Sequence, residues 1–203
     1  ATGWGLGVAV AVYLVGTISG GHINPAVTIS LACIGKFAWA DVPTYVAAQV
    51  LGAFFGGVIV WLAFLPHWKE TSDQGAKLGI FCTGPAIRNY PANVLCEIIG
   101  AFVLVLGALA IPAKNNLSVE QGFSTGLGPL LVGLLVLSIG VSLGGPTGYA
   151  INPARDFGPR LAHALLPIAG KGHSDWGYAW VPIVGPIIGG VLGALFYSLC
   201  WPV

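Results

Sequence analysis

Charge is what this sequence has least of. Among 203 residues only 8 are Lys or Arg and 7 are Asp or Glu, which leaves a net charge of +1. So even a balance gives no electrostatic reason to expect nucleic acid or an acidic partner. Cysteine is scarce and scattered: Cys33, Cys82, Cys96 and Cys200 make no CxxC pair and no metal-ligand spacing, and read as small apolar fillers. His67, His163 and His173 show no paired spacing either, so no metal and no cofactor is expected. No nucleophile stands beside a paired base, which leaves an enzyme the least supported class. Methionine is absent altogether, and nothing in the sequence explains it. Low-complexity stretches and any sign of a second, soluble domain are missing too.

Apolar residues fill the space that charge leaves. They make up 56% of the chain, with a mean hydropathy of +0.85, far above that of a soluble domain. The expected home is a lipid bilayer, as a multi-pass protein of the cell membrane. Five long apolar segments, roughly 2–19, 42–65, 91–112, 129–147 and 179–201, each reach the roughly 20 helical residues that cross about 30 Å of hydrocarbon. A cleavable signal peptide is shorter and occurs once, so none of the five is one. The connections "LPHWKETSDQGAKLGIFCTGPAIRNYP", "PAKNNLSVEQG" and "PIAGKGHSDWGYAW" are polar, and the first reads as a long loop.

Two shorter apolar stretches, about 25–35 and 153–166, cannot cross. Each begins at the proline of an Asn-Pro-Ala box: Asn24, Pro25 and Ala26 in "GGHINPAVT", then Asn152, Pro153 and Ala154 in "YAINPARDF". Proline disfavours helix in the residue before it and suits the first helical turn, so each box predicts the start of a half-helix. The order span, short loop, box, half-helix, span runs from 3 to 65 and again from 129 to 201. The 203 residues therefore read as one transmembrane domain, with repeat one at 1–65, a connecting loop at 66–90 and repeat two at 91–203. Repeat two opens with the span at 91–112 and repeat one has no equivalent, so a first span is expected to be missing from the front. Three spans per repeat is an odd number, which makes the repeat an inverted one.

Non-helical backbone at membrane depth is tolerated where protein buries it or where it lines a water-filled cavity. Two half-helices entering from opposite faces meet near the midplane with the positive ends of their dipoles pointing at each other, an arrangement that repels cations. Asn24 and Asn152 are expected to cap these termini while their amide N–H groups face the lumen and donate to a passing oxygen.

The duplicated boxes, extended as "SGGHINPAVT" and "GYAINPARDFGPR", resemble the aquaporin or major intrinsic protein family from about Trp4 to Tyr197. Asp156, Arg160 and the pair Pro182 and Ile183 resemble its glycerol-facilitator, or aquaglyceroporin, branch. The resemblance implies an all-α, aquaporin-like bundle of transmembrane helices with two re-entrant half-helices. It also implies a passive channel for glycerol and other small uncharged solutes, passing water and excluding protons and ions, and a homotetramer in the lipid bilayer. It puts the outer selectivity filter on Trp4, Gly140, Tyr149 and Arg155. There Trp4 and Tyr149 would form an apolar corner for the C–H edge of a polyol, Arg155 would donate to its hydroxyls, and Gly140 would leave room for a carbon chain. Tyr149 departs from the Phe frequent in this branch, so the solute is held to a class: small polyols, urea-like amides or neutral organic acids. Glu97 resembles the family's buried carboxylate that hydrogen-bonds a box loop. His22 and Asp156 are expected to support the pore, with His22 lining the inner vestibule.

Taken alone, several of these residues carry other readings. Trp4 or Tyr149 suits an interfacial aromatic belt, and Gly140 a helix-packing motif in "GVSLG". Arg155 is costly at membrane depth and marks a pathway. A water-selective pore, a secondary transporter and a structural junction protein are the rival functions. Gly140 and Asp156 argue against the first, and the lack of a carboxylate cluster argues against the second. Gly52 and Gly56, together with Gly185, Gly189 and Gly193, predict close-packing faces that join the two repeats. Under the family topology the inner loops hold only Lys36 and Lys114, while the outer ones hold Lys69, Lys77, Arg88, Arg160 and Lys171. That opposes the positive-inside rule, so orientation rests on the resemblance.

Overall fold

The computed structural model describes residues 1–113, 116 and 126–201; the rest of the connection after 113, Lys114 included, lies outside the described residues. Along the chain run α1 (Thr2–Ser19), α2 (Pro25–Cys33), α3 (Val42–Ala63), α4 (His67–Glu70), α5 (Gln74–Phe81), α6 (Tyr90–Ala110), α7 (Gly128–Thr147), α8 (Pro153–Leu165) and α9 (Val181–Cys200). No strand occurs among the described residues. Helices α1, α3, α6, α7 and α9 are long and apolar enough to cross a membrane, matching the five expected spans.

Both half-helices start for the same local reason. Asn24 and Asn152 sit in extended backbone at φ −157°, and their side-chain oxygens accept the first free helical N–H groups, from Ala26 and from Ala154 and Arg155. Proline follows in the first turn, where its missing N–H costs nothing. The residue before each cap, Ile23 or Ile151, is held at φ 44°. A β-branched side chain in that left-handed region costs about 1–3 kcal/mol, and its recurrence at the same place in both copies makes the strain part of the motif.

Glycines set how closely the helices pack. The stretch "LGAFFGGV" on α3 corresponds to "VGPIIGGV" on α9, so Gly57 corresponds to Gly190. A Cβ at Gly57 would lie 2.8 Å from Ala162 Cβ on α8, and one at Gly190 would lie 2.6 Å from Ser30 Oγ on α2. Each repeat's last span thus grips the other repeat's half-helix. Spans α1 and α7 cross at a reciprocal contact, where a Cβ at Gly5 would meet the Gly133 carbonyl and one at Gly133 the Gly5 carbonyl. The run Gly185, Gly189 and Gly193 instead meets Glu97, Ile98 and Phe102, all on α6. That corrects the expectation that this run joins the repeats: it packs inside repeat two. The α3 counterparts Gly52 and Gly56 have open space around them and border a cavity of about 740 Å³.

The connection 66–90 is not the plain loop its polarity suggests. Asp73 caps α5 by accepting from the Gly75 and Ala76 N–H groups, and Trp68 stacks on Phe81 at 5.7 Å over a small core with Ala162 and Ile168. The loop-charge tally changes as well. Arg160 is no loop residue but a fully buried one within α8. Lys77 is buried on α5 and donates to the Ala169 carbonyl. Lys171 donates to the His163, Ala164 and Leu166 carbonyls, neutralising the negative end of α8. Three of the five cations counted against the positive-inside rule are therefore fixed parts of the fold.

Candidate channel and its constriction

A cavity of about 340 Å³ runs from Trp4, Tyr149 and Arg155 past Asn24 and Asn152 to His22 and Lys36. At its middle the two boxes hold each other. Asn24 Nδ2 donates to the Ile151 carbonyl at 2.8 Å, and Asn152 Nδ2 donates to the Ile23 carbonyl at 2.9 Å. The acceptors are the two strained isoleucines. Each Asn amide has two hydrogens, so one is committed across the midplane and only the other can serve the lumen, which narrows the expectation that both face it.

The loops are anchored by different chemistry. Glu97, 1% exposed on α6, accepts the Ala150 N–H on Oε1 at 3.0 Å and the Ile151 N–H on Oε2 at 2.8 Å. It lines no part of the cavity and acts as a bidentate bracket for the second loop. The first loop is braced without charge. Thr28 Oγ1 donates to the Asn24 carbonyl at 3.1 Å and accepts from Gln49 Nε2 at 3.0 Å, while His22 Nδ1 lies 3.1 Å from the same oxygen. His22 does line the cavity, with its ring edge-on to Phe37 at 4.9 Å.

At the other end the Arg155 guanidinium lies 4.3 Å from the centre of the Trp4 ring, and its Nη1 donates to the Phe81 carbonyl at 3.3 Å. Tyr149, at φ 41°, lines the cavity with its ring, and its buried hydroxyl has no partner among the described residues. Gly140 does not face the cavity directly. A Cβ there would meet Tyr149 Cζ at 2.7 Å, and one at Gly144 would meet Tyr149 Cδ1 at 2.9 Å. The ring lies across both glycines, so Gly140 makes room for Tyr149 rather than for the solute itself.

Asp156, fully buried, ties this end together. Its Oδ2 accepts the Thr83 N–H at 2.8 Å, the Thr83 hydroxyl at 2.7 Å and Arg160 Nη2 at 3.0 Å, and its Oδ1 accepts Arg160 Nε at 2.8 Å. The remaining Arg160 donors reach the Ser174, Asp175 and Thr83 carbonyls. A buried ion pair is tolerable only when its hydrogen bonds are satisfied in this way.

Residues 1–197 match the family model described as major intrinsic protein. The chain belongs to the major intrinsic protein family. It is 66% identical over 197 residues to a probable glycerol uptake facilitator protein of Thermotoga maritima, covering 97% of this chain and 81% of that one. It is 62% identical over 196 residues to a glycerol uptake facilitator protein of Bacillus subtilis, covering 97% and 69%. Its fold is similar to the X-ray structure of the aquaglyceroporin from Plasmodium falciparum, with a TM-score of 0.84 at 31% identity over 98% of this chain and 81% of that chain.

As a major intrinsic protein with five apolar spans, the chain is a multi-pass membrane protein. Phe81 and Thr83, whose backbone and hydroxyl meet Arg155 and Asp156, have no signal in the sequence. They reach Arg155 and Asp156 from 74 and 73 residues away in a segment without a motif. Among the described residues no group of three or more His, Cys, Asp or Glu side chains could hold a metal ion.

Proposed function

We propose that this major intrinsic protein is a passive channel for glycerol and similar small uncharged polyols, with water passing alongside and protons and ions excluded. The observation that carries the reading is the corner at the cavity's end: a guanidinium over the Trp4 ring, facing Tyr149, with both box asparagines further along the same cavity. An aromatic wall suits the C–H edge of a polyol, and the Arg155 fork donates to hydroxyls without losing its charge. Trp4, Tyr149 and Arg155 are the filter; Gly140 shapes it by admitting the Tyr149 ring. Asn24 and Asn152 each offer one amide hydrogen to a solute oxygen, and the positive ends of α2 and α8 repel cations. Pro25, Ala26, Pro153 and Ala154 turn the backbone into the half-helices, and Glu97, His22 and Asp156 hold their loops. The printed names of the relatives, glycerol uptake facilitators and an aquaglyceroporin, support the same solute. The assembly proposed is a homotetramer with one pore per protomer.

The test is stopped-flow light scattering on proteoliposomes challenged with sucrose and with glycerol. Entry of both water and glycerol well above empty vesicles is expected. Rapid water flux with glycerol retained as in empty vesicles would overturn the reading in favour of a water-selective pore.

A further inference from the structure

The segment 81–89 packs behind the start of α8, beside Arg155, and its central contact is Thr83. We propose that Thr83 is a positioning residue that sets the gap between Arg155 and Tyr149, and with it the preference among polyols; the proposal rests on the glycerol-channel reading above. Thr83 is 6% exposed, and each of its polar groups is taken by α8. Its N–H and hydroxyl donate to Asp156 Oδ2, and its carbonyl accepts Arg160 Nη2 at 2.9 Å. Two residues earlier, the Phe81 carbonyl receives Arg155 Nη1. Arg155 and Asp156 are neighbours in the chain, so these contacts close a ring: Arg155 to Phe81, along the backbone to Thr83, back to Asp156, and through one peptide bond to Arg155.

The other side of Thr83 bears on the opposite wall. A Cβ on Gly148 would lie 3.3 Å from both Cβ and Cγ2 of Thr83, and Gly148, at φ 76°, leads directly into Tyr149 at φ 41°. One side chain thus touches the support of both filter residues. The far end of the segment is fastened too. The Ala86 N–H donates to the Pro146 carbonyl at 3.0 Å, and Arg88 pairs with Asp175 through two bonds of 3.1 and 2.6 Å. Removing the Thr83 hydroxyl leaves Asp156 its bonds to the Thr83 N–H and to Arg160, so α8 keeps its ion pair while the segment loses the bond that locks its side chain.

The experiment compares wild type, Thr83→Val and Thr83→Ser in proteoliposomes by stopped-flow, with water, glycerol and the longer polyol ribitol. In Thr83→Val the glycerol-to-ribitol permeability ratio is expected to change by roughly threefold or more with water flux nearly unaltered, and Thr83→Ser is expected to restore the wild-type ratio. An unchanged ratio in Thr83→Val, or an equal loss for all three permeants, overturns the proposal. If Thr83→Val does not fold, Arg88→Gln, whose side chain is exposed, loosens the same segment from its other end. A smaller shift of the ratio in Arg88→Gln then supports the proposal, and none overturns it. Glycerol retention in the wild type itself would instead sink the channel reading.

Discussion

The two half-helices carry the same box and do different work. Aligned on Asn24 and Asn152, Val27 stands where α8 has Arg155, Thr28 where it has Asp156, and Ala32 where it has Arg160. Helix α2 is nine neutral residues, whereas α8 is thirteen and carries a buried ion pair. Thr28 gathers the first loop through neutral hydrogen bonds from Gln49 and toward Asn24, while Asp156 at the matching place gathers Thr83 and Arg160 through charge-assisted ones. What the halves share is the capped, inward-pointing terminus and the reciprocal Asn bonds. What they do not share lies at the filter end, where α8 brings Arg155 and the network that holds it. Under the proposed function the difference separates two tasks, repelling cations at the midplane and choosing a solute at the mouth.

Substitutions can test that division. Arg160→Met strands Asp156 as a buried, unpaired carboxylate, a change that costs about 3–5 kcal/mol and is expected to abolish recovery of folded protein on size-exclusion chromatography in detergent. Asn24→Ala and Asn152→Ala each remove a helix cap and orphan a buried carbonyl across the midplane, together about 2–4 kcal/mol. The two variants should lower the melting temperature by equal amounts, and a large inequality between them would break the symmetric half of the comparison. Gly140→His drives into the Tyr149 ring; an overpacking cost of about 1–3 kcal/mol placed on the transport barrier gives roughly a tenfold loss of glycerol flux. Water flux in the same vesicles should fall much less, and equal losses would remove Gly140 from the filter. Thr28→Val, the neutral counterpart of an Asp156 substitution, should cost only about 1–2 kcal/mol and leave a folded, conducting protein. Smallest of all, Arg88→Gln breaks an exposed pair worth about 0–1 kcal/mol, and any shift in melting temperature should vanish at high salt.

The architecture was legible in the sequence because the membrane imposes a length and a composition on each span, and because proline after an asparagine marks a helix start whatever surrounds it. The starts of α2 and α8 follow from the caps alone. The cross-midplane bonds were not legible, since they join residues 127 and 129 apart and depend on where the other repeat comes to rest. Helices α4 and α5 were missed because their apolar residues are few and pack on Ala162 and Ile168 of a distant element. The glycine runs on α3 and α9 look alike in sequence, yet one meets a helix backbone and the other open space. A small-residue motif reports what a surface can do, not what covers it. Gly140 shows the same limit: its missing side chain was visible, but not that the ring of Tyr149, past the end of the same helix, would occupy the vacancy.

The reciprocal Asn bonds also impose an order on biosynthesis. Asn24 leaves the ribosome 127 residues before its acceptor at Ile151, an interval of about 6–25 seconds at translation rates of roughly 5–20 residues per second. During that time the Asn24 amide and the Ile23 carbonyl have no mate, and hydrocarbon offers them none. The reciprocal bonds can form only once the second box has been made, so the midplane closes as a late step of assembly.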